Sequence, residues 1–434
     1  MGRGSFVFAH LADAHVGAWA RDAAVRRALR ESVLGALRAV DERECEFLLV
    51  SGDLFHTPVP DPAEVAPIAA ALRGLVDRGR RIYVIYGSHD YVAQRTSWLD
   101  VLAETGLFLK AAPEAVRVDG SRLTLPFLVD RPTGAAIAGI SGRSHGLDRQ
   151  YFSGLDTEAL RAHDGFRIFQ YHAAVEEYLP PNLREHVKGL RRDDLPAGLD
   201  YYAGGHIHLT YVGEGPGGGL LVNPGAVFGT SVTDIENGLA GRGHSGVAIV
   251  TVDGGRPSVE FVDTAPRGSL RVFDVALDGL SGEAARQVVA ERVRAESAPG
   301  VLLFPRLHGT PVDASVGTLG IGRRDPELVP PEIGGIHWEI DPPTPAAGGP
   351  AISVDAEANL LGETLDRLLA ETAEERSAAG WTIDAASLRE LVAELGQPIS
   401  DGESRLDYET ARVDAALRAL RVRGSPADQG ADGA

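Results

Sequence analysis

The chain has a single cysteine, Cys45, in 434 residues. One thiol excludes a disulfide framework and any zinc site built from several thiolates, and makes a reducing cytoplasm the expected compartment. No run of 18 apolar residues occurs, so no transmembrane helix and no membrane partner are expected. The strand-like run that begins at Ser5 leads to the expectation that no signal peptide is present. Lysine is nearly absent. With only Lys110 and Lys188, phosphate contacts fall mostly to arginine, whose planar fork suits phosphate oxygens. An excess of positive charge is missing as well, the formal net charge being −19. Residues 1–266 hold 26 Lys and Arg against 33 Asp and Glu, and the remainder holds 16 against 28. Such a chain is not a general nucleic-acid coat, and its acidity gathers toward the C-terminal part.

What is present is an ordinary globular composition, 44% hydrophobic and 24% charged, with length for one large domain and smaller ones. Up to about residue 265, strand-like runs alternate with helical ones. Phe-Val-Phe-Ala-His-Leu-Ala-Asp leads to the amphipathic stretch 23–42. Glu-Phe-Leu-Leu-Val-Ser-Gly-Asp leads to 62–79, and then comes Arg-Ile-Tyr-Val-Ile-Tyr-Gly-Ser-His-Asp at 81–90. This rhythm predicts a layered α/β domain over residues 1–266, with functional loops at the C-terminal ends of strands. Further strands are expected at 136–142, 166–173, 200–208, 219–225 and 245–253. Residues 267–345 read as a small α/β unit: a strand, a helix opened by Ser281 as N-cap, and a second strand. The Pro/Gly-rich stretch 341–350 leads into a linker placed at 346–354. Helices follow over 355–424, where Leu361, Leu365, Leu368 and Leu369 form one apolar stripe. Residues 425–434 read as a disordered tail.

Five stretches carry histidines and carboxylates, each at the end of a strand-like run. They hold Asp13 and His15; Asp53 and His56; Ser88, His89 and Asp90; His172; and His206 and His208. Each alone has a plain structural reading as a turn or a core histidine. Their ordered recurrence at strand ends is the signal, because such ends converge on one crevice. Nitrogen and oxygen donors of this kind suit divalent manganese, iron, zinc or cobalt. Arg143 and His145 follow another strand and could touch phosphate, and 223–231 could pass its backbone near the site. The mixed basic stretch 182–194 could follow a nucleic-acid backbone, although a solvated helix face explains it more simply. His10, His163, His186, His244, His308 and His337 read as structural.

The order Asp-x-His, Gly-Asp, Gly-x-His-Asp, His, Gly-His-x-His across residues 13–208 resembles the calcineurin-like metallophosphoesterase superfamily. Gly-Asp-Leu-Phe-His at 52–56 resembles, more narrowly, the SbcD-type DNA repair exonucleases. The resemblance implies a layered metallophosphoesterase β-sandwich flanked by helices, a small α/β capping domain and a helical C-terminal tail. It implies two divalent ions, Mn2+ foremost. Asp13, His15 and His208 would hold the first, His172 and His206 the second, and Asp53 would bridge them. His89 would protonate the leaving oxygen, with Asp90 fixing its tautomer. His56 and Arg143 would meet the substrate. The departure is Ser88, where the family pattern has Asn: a hydroxyl is a shorter and weaker ligand than an amide oxygen. With Asp53 and two histidines intact, the site is expected to be active.

The function so implied is manganese-dependent cleavage of DNA ends in repair. Its expected partners are an SMC-like ATPase, bound by the helical region, and a second copy of the chain in a homodimer. Two alternatives stand beside it: a phosphodiesterase or phosphatase for a small substrate, and a non-catalytic scaffold for the ATPase.

Overall fold

In the computed structural model the described residues are 4–340, without 91–95, 113–116, 120–121, 143–151, 153–154, 185–186, 188, 314–318, 320 and 322–327. Arg143, the linker, the helices expected over 355–424 and the tail therefore lie outside the described residues. Two six-stranded sheets dominate. In the first, the order across the sheet is Arg256–Asp263, Gly246–Asp253, Phe6–Leu11, Phe47–Ser51, Arg81–Ile85 and Leu109–Lys110. The second runs Tyr211–Glu214, Leu220–Asn223, Tyr201–Ala203, Arg167–Tyr171, Ala135–Ile140 and Leu128–Asp130.

Phe6–Leu11, Phe47–Ser51 and Arg81–Ile85 in the first sheet and the four inner strands of the second run parallel, and nearly every residue in them is buried because both faces are covered. Alternate side chains decide which layer each residue joins. Phe8, Phe47, Leu49, Ile137, Ile168 and Tyr201 fill the space between the sheets. There Phe8 stacks on Phe47 at 4.9 Å and meets Tyr201 edge-on at 5.1 Å. Ala9, Leu48 and Val50 face outward onto the helices Ala23–Glu42 and Pro62–Asp77, whose Val25, Leu29, Val33, Ile68 and Leu72 cover that side. On the second sheet Ala138, Phe169 and Leu221 pack against Val175, Leu190 and Leu195. This is the layered α/β sandwich the sequence predicts.

A third, four-stranded sheet lies within the range expected for the capping unit. Its strands Leu270–Ala276, Leu302–His308, Gly335–Ile336 and Glu339–Ile340 pair in parallel. The helix Gly282–Glu296, capped by the Ser281 hydroxyl accepting from Ala284 N, covers one face through Ala285, Val289 and Val293. Leu303 and Leu307 join that cluster, while Leu302 and Phe304 point the other way into the core of the first sheet. All described residues fall in one compact unit, Met1–Pro343, and none of their helices is long and apolar enough to cross a membrane.

Candidate metal centre

The loops after Phe6–Leu11 and Phe47–Ser51 stay paired beyond the sheet. Asp13 N donates to Gly52 O at 3.1 Å, His15 N to Asp53 O at 2.9 Å, and His56 N to Val16 O at 3.0 Å. This zipper sets Asp13, His15, Asp53 and His56 side by side. The cost is conformational. Asp13, His15, Asp53 and His206 all have positive φ, at 50°, 46°, 51° and 87°, in the left-handed region that side chains disfavour. Four of six such non-glycine residues among those described carry candidate ligands, so strain concentrates at this crevice.

Three groups of donors form there, one of them His15, His56 and His89 at the rim. Asp13, His15 and His208 bring ligand atoms within 4.8 Å of one another, as do Asp13, Asp53 and His172. In the group with Asp53, His172 Nδ1 lies 2.8 Å from the Ser51 carbonyl oxygen, which can only accept. The ring proton is thereby fixed on Nδ1, and Nε2 presents a lone pair. That nitrogen is buried without a hydrogen-bond donor and faces Asp53 Oδ2 at 3.2 Å. Two electron-rich atoms in contact require a positive charge between them. Burial opposes charging His172, yet the Asp53 carboxylate outweighs it and holds the imidazole up at about 10. Burial likewise would raise Asp53, but His172 and then His15 pull it below the ordinary carboxylate range. A divalent ion meets the same demand, so this donor set fits one.

The group with His208 is built on the same logic. His208 Nδ1 lies 2.9 Å from Asp234 Oδ2, which leaves its Nε2 turned to His15 Nε2 at 3.1 Å. Asp13, raised to about 6 by burial and partly relieved by His172 and His208, is the carboxylate beside them. His206 lies outside all three groups. Its backbone N–H donates to both Asp13 oxygens, at 3.1 and 3.0 Å, and its exposed ring sits 5.1 Å from that of His172. Ser88 reaches Asp53: its hydroxyl donates to Asp53 Oδ2 at 3.3 Å, while His89 N donates to Oδ1 at 2.8 Å.

His89 is exposed at the rim, stacked on His56 at 5.1 Å and edge-on to His15 at 4.9 Å. Its Nδ1 lies 2.9 Å from the His56 carbonyl oxygen, so the proton on that nitrogen is fixed and Nε2 is the nitrogen left for chemistry. Asp90 does not take the tautomer-fixing part expected of it. Its buried oxygens accept from Phe55 N at 3.2 Å and Gly87 N at 3.0 Å, because the turn sends its side chain inward while His89 points out. Asp90 therefore staples two site loops, and a backbone carbonyl orients the histidine.

Asp234 is the site residue that sequence reading missed. Ser231-x-x-Asp234 is a capping box at the start of the helix Val232–Leu239, legible as a helix start. That the same carboxylate would orient His208 depends on the fold. Stretch 223–231 does pass its backbone close by: Ala226 N donates to His208 O at 3.2 Å and Val227 N to Asp13 O at 3.4 Å. His10 is structural as expected, its two ring nitrogens meeting Tyr201 Oη and Gly204 O at 3.0 Å each, and burial lowers it to about 3.

Residues 6–209 match the family model of calcineurin-like phosphoesterases. The chain is also similar to proteins named DNA double-strand break repair protein Mre11. One, from Archaeoglobus fulgidus, is 24% identical over 288 residues, 63% of this chain and 63% of that protein. Another, from Methanopyrus kandleri, is 25% identical over 299 residues, 66% of this chain and 62% of its relative. The matched stretch thus spans less than two thirds of either relative's own length.

Proposed function

Residues 6–209 match the calcineurin-like phosphoesterase family, and from that premise we propose that the protein is a metal-dependent phosphodiesterase that cleaves DNA at ends under repair. The observation that carries this reading is the buried face-off of His172 Nε2 and Asp53 Oδ2 at 3.2 Å, beside the Asp13, His15 and His208 donors. In this reading Asp13, His15 and His208 would hold one divalent ion, His172 and His206 would hold the other, and Asp53 would serve both. Mn2+ is the proposed ion, and bound cations of this class supply Lewis-acid stabilisation of charge on a phosphoryl group. The chain's own residues do the rest. His89, with Nδ1 tied to a carbonyl, holds a proton at Nε2 for the leaving oxygen, and His56 packs against it to align the phosphate. DNA as substrate rests on the likeness to proteins named for double-strand break repair and on Gly-Asp-Leu-Phe-His at 52–56. An SMC-like ATPase bound through 355–424, a homodimer and a cytoplasmic setting belong to the same proposal. The net charge of −19 favours a small phosphodiester or phosphomonoester as the second reading. Incubating the protein with end-labelled DNA, a cyclic nucleotide and a chromogenic phosphodiester, each with and without Mn2+, separates the readings. Cleavage of the small substrates with DNA untouched would overturn the nuclease assignment, and silence on all three would leave only a scaffold.

A further inference from the structure

Two struts join the third sheet to the loops of the metal centre, and both end on the same donor group. The first runs through the helix Val232–Leu239. Asp234, at its third position, takes the Nδ1 side of His208 and caps Thr230 N and Ser231 N at 2.8 and 3.1 Å. Two residues on, about 200° round the helix, Glu236 pairs with Arg306 on the strand Leu302–His308 at 3.3 Å. Arg306 is in turn clamped by Glu339 at 2.7 Å and Asp274 at 3.5 Å, both on strands of the same sheet.

The second strut meets the loop that carries Asp13 and His15. His337 Nδ1 lies 2.7 Å from Asp22 Oδ2, and the His337 ring abuts Trp19 edge-on at 4.8 Å. Trp19 has a left-handed backbone, φ 60°, and its indole N–H donates to Gly229 O at 2.9 Å, just before the helix that carries Asp234. Leu302 and Phe304 are buried in the core of the first sheet beside these contacts, so the struts stand on a packed interface. His172, in contrast, takes its orientation from Ser51 O and faces Asp53, all within the sandwich itself.

We propose that Arg306 and His337 are positioning residues that act from the third sheet on one cation only, the one assigned to Asp13, His15 and His208. The inference rests on the metal-site reading above and deepens it: His208 and the Asp13–His15 loop are braced from the third sheet, whereas His172 is oriented from within the sandwich. A carboxylate that orients a ligating histidine is worth about ten-fold or more in metal affinity. A residue one contact further out is worth less, about three- to ten-fold.

The test is Mn2+ binding to the full chain, measured by the EPR signal of free Mn2+ and by calorimetry, with no substrate present. Wild-type protein should take up two ions. Arg306→Gln and His337→Gln should each weaken one ion about three- to ten-fold and leave the other unchanged. Arg306→Lys, which keeps the charge, should fall between Arg306→Gln and wild type. Asp234→Asn should weaken the same ion, and its combination with Arg306→Gln should lose less than the sum of the two, since they act in series. Arg292→Ala, on the helix over the far face of the third sheet, should leave both ions as they are. If Arg306→Gln does not fold, Glu236→Gln cuts the same strut from the sandwich side. Equal weakening of both ions, or two unchanged ions in a folded Arg306→Gln or Glu236→Gln protein, would overturn the inference while leaving the metal centre intact. Wild-type protein that binds no Mn2+ would overturn both.

Discussion

At the scale of single residues, Ser88 separates a weakened site from a lost one. Its hydroxyl touches the carboxylate oxygen that also faces His172, so it stands where an amide oxygen could meet a cation. Ser88→Asn should lower the Mn2+ concentration for half-maximal activity. Ser88→Ala should raise it by no more than about ten-fold, the worth of one lost polar contact. Superimposable Mn2+ titrations of the three proteins would place residue 88 off the metal. His89 and Asp53 should give opposite signatures. His89→Ala is expected to cost about 10²–10⁴-fold in turnover with both ions retained, because its free nitrogen belongs to neither carboxylate-containing donor group. Asp53→Asn should lose ions and activity together, and metal analysis of the purified variants decides between these outcomes. The candidate ligands were legible because each lies within five residues after the C-terminal end of a strand, where sequence order alone predicts convergence. The role of Asp90 was not legible, since adjacency to His89 in sequence says nothing about facing it across a turn. Asp234, 26 residues beyond His208, carried only the signal of a helix cap.

At the scale of elements, the loops are shaped by what cannot be added to them. A Cβ on Gly87 would lie 2.1 Å from Asp53 Oδ1 and 2.3 Å from Asp53 N. Gly87→Ala should therefore push the Asp53 carboxylate aside, at a cost of about 1–3 kcal/mol of stability and with loss of Mn2+ uptake. Intact Mn2+ binding in that variant would mean that the loop can yield. The helix Trp98–Glu104 makes a pH prediction. Burial would raise Asp100, but Lys110 at 2.6 Å, the Tyr86 hydroxyl and the Ser97 cap lower it to about 2 from the usual 3.8. A depressed acid stabilises the fold above its unfolded value and loses that contribution as pH falls from about 3.8 toward 2. For so partly exposed a pair the contribution is on the order of 1 kcal/mol after screening. Asp100→Asn should flatten denaturant midpoints over that interval, and an unchanged slope would remove Asp100 from the acid response. The helix Ala23–Glu42 has the bounds its apolar spacing predicts, because eight of its residues form one buried face. The edge strand Arg256–Asp263 was missed: Pro257 reads as a breaker, and its ladder partner Gly246–Asp253 supplies the order.

At the scale of the whole molecule, chemistry and acidity are separated along the chain. Every candidate ligand precedes residue 209, and the cores that hold them close within Met1–Pro343. Residues 355–434 carry 17 Asp and Glu against 8 Arg, so removing them shifts the formal charge from −19 to −10. The layered fold was readable from alternating periods because each element is amphipathic or fully apolar on its own. That Arg306 and His337 of the third sheet would contact Glu236 and Asp22 was not, because these look like ordinary surface residues until the elements are docked. Deleting residues 355–434 should leave Mn2+-dependent hydrolysis of a small phosphodiester unchanged. DNA binding should weaken no more steeply with salt than in the full chain, since the loss of net negative charge reduces repulsion from phosphate. If the proposed docking of an SMC-like ATPase on this stretch holds, affinity for it should fall, because the apolar stripe that its sequence carries at helical spacing suits docking in a partner's groove. Steady-state hydrolysis, a salt titration of DNA binding and co-purification with the ATPase read these three outcomes independently. If instead the truncated chain is insoluble or hydrolytically dead, residues 355–434 are needed by the fold, and partner docking must be sought elsewhere on the molecule.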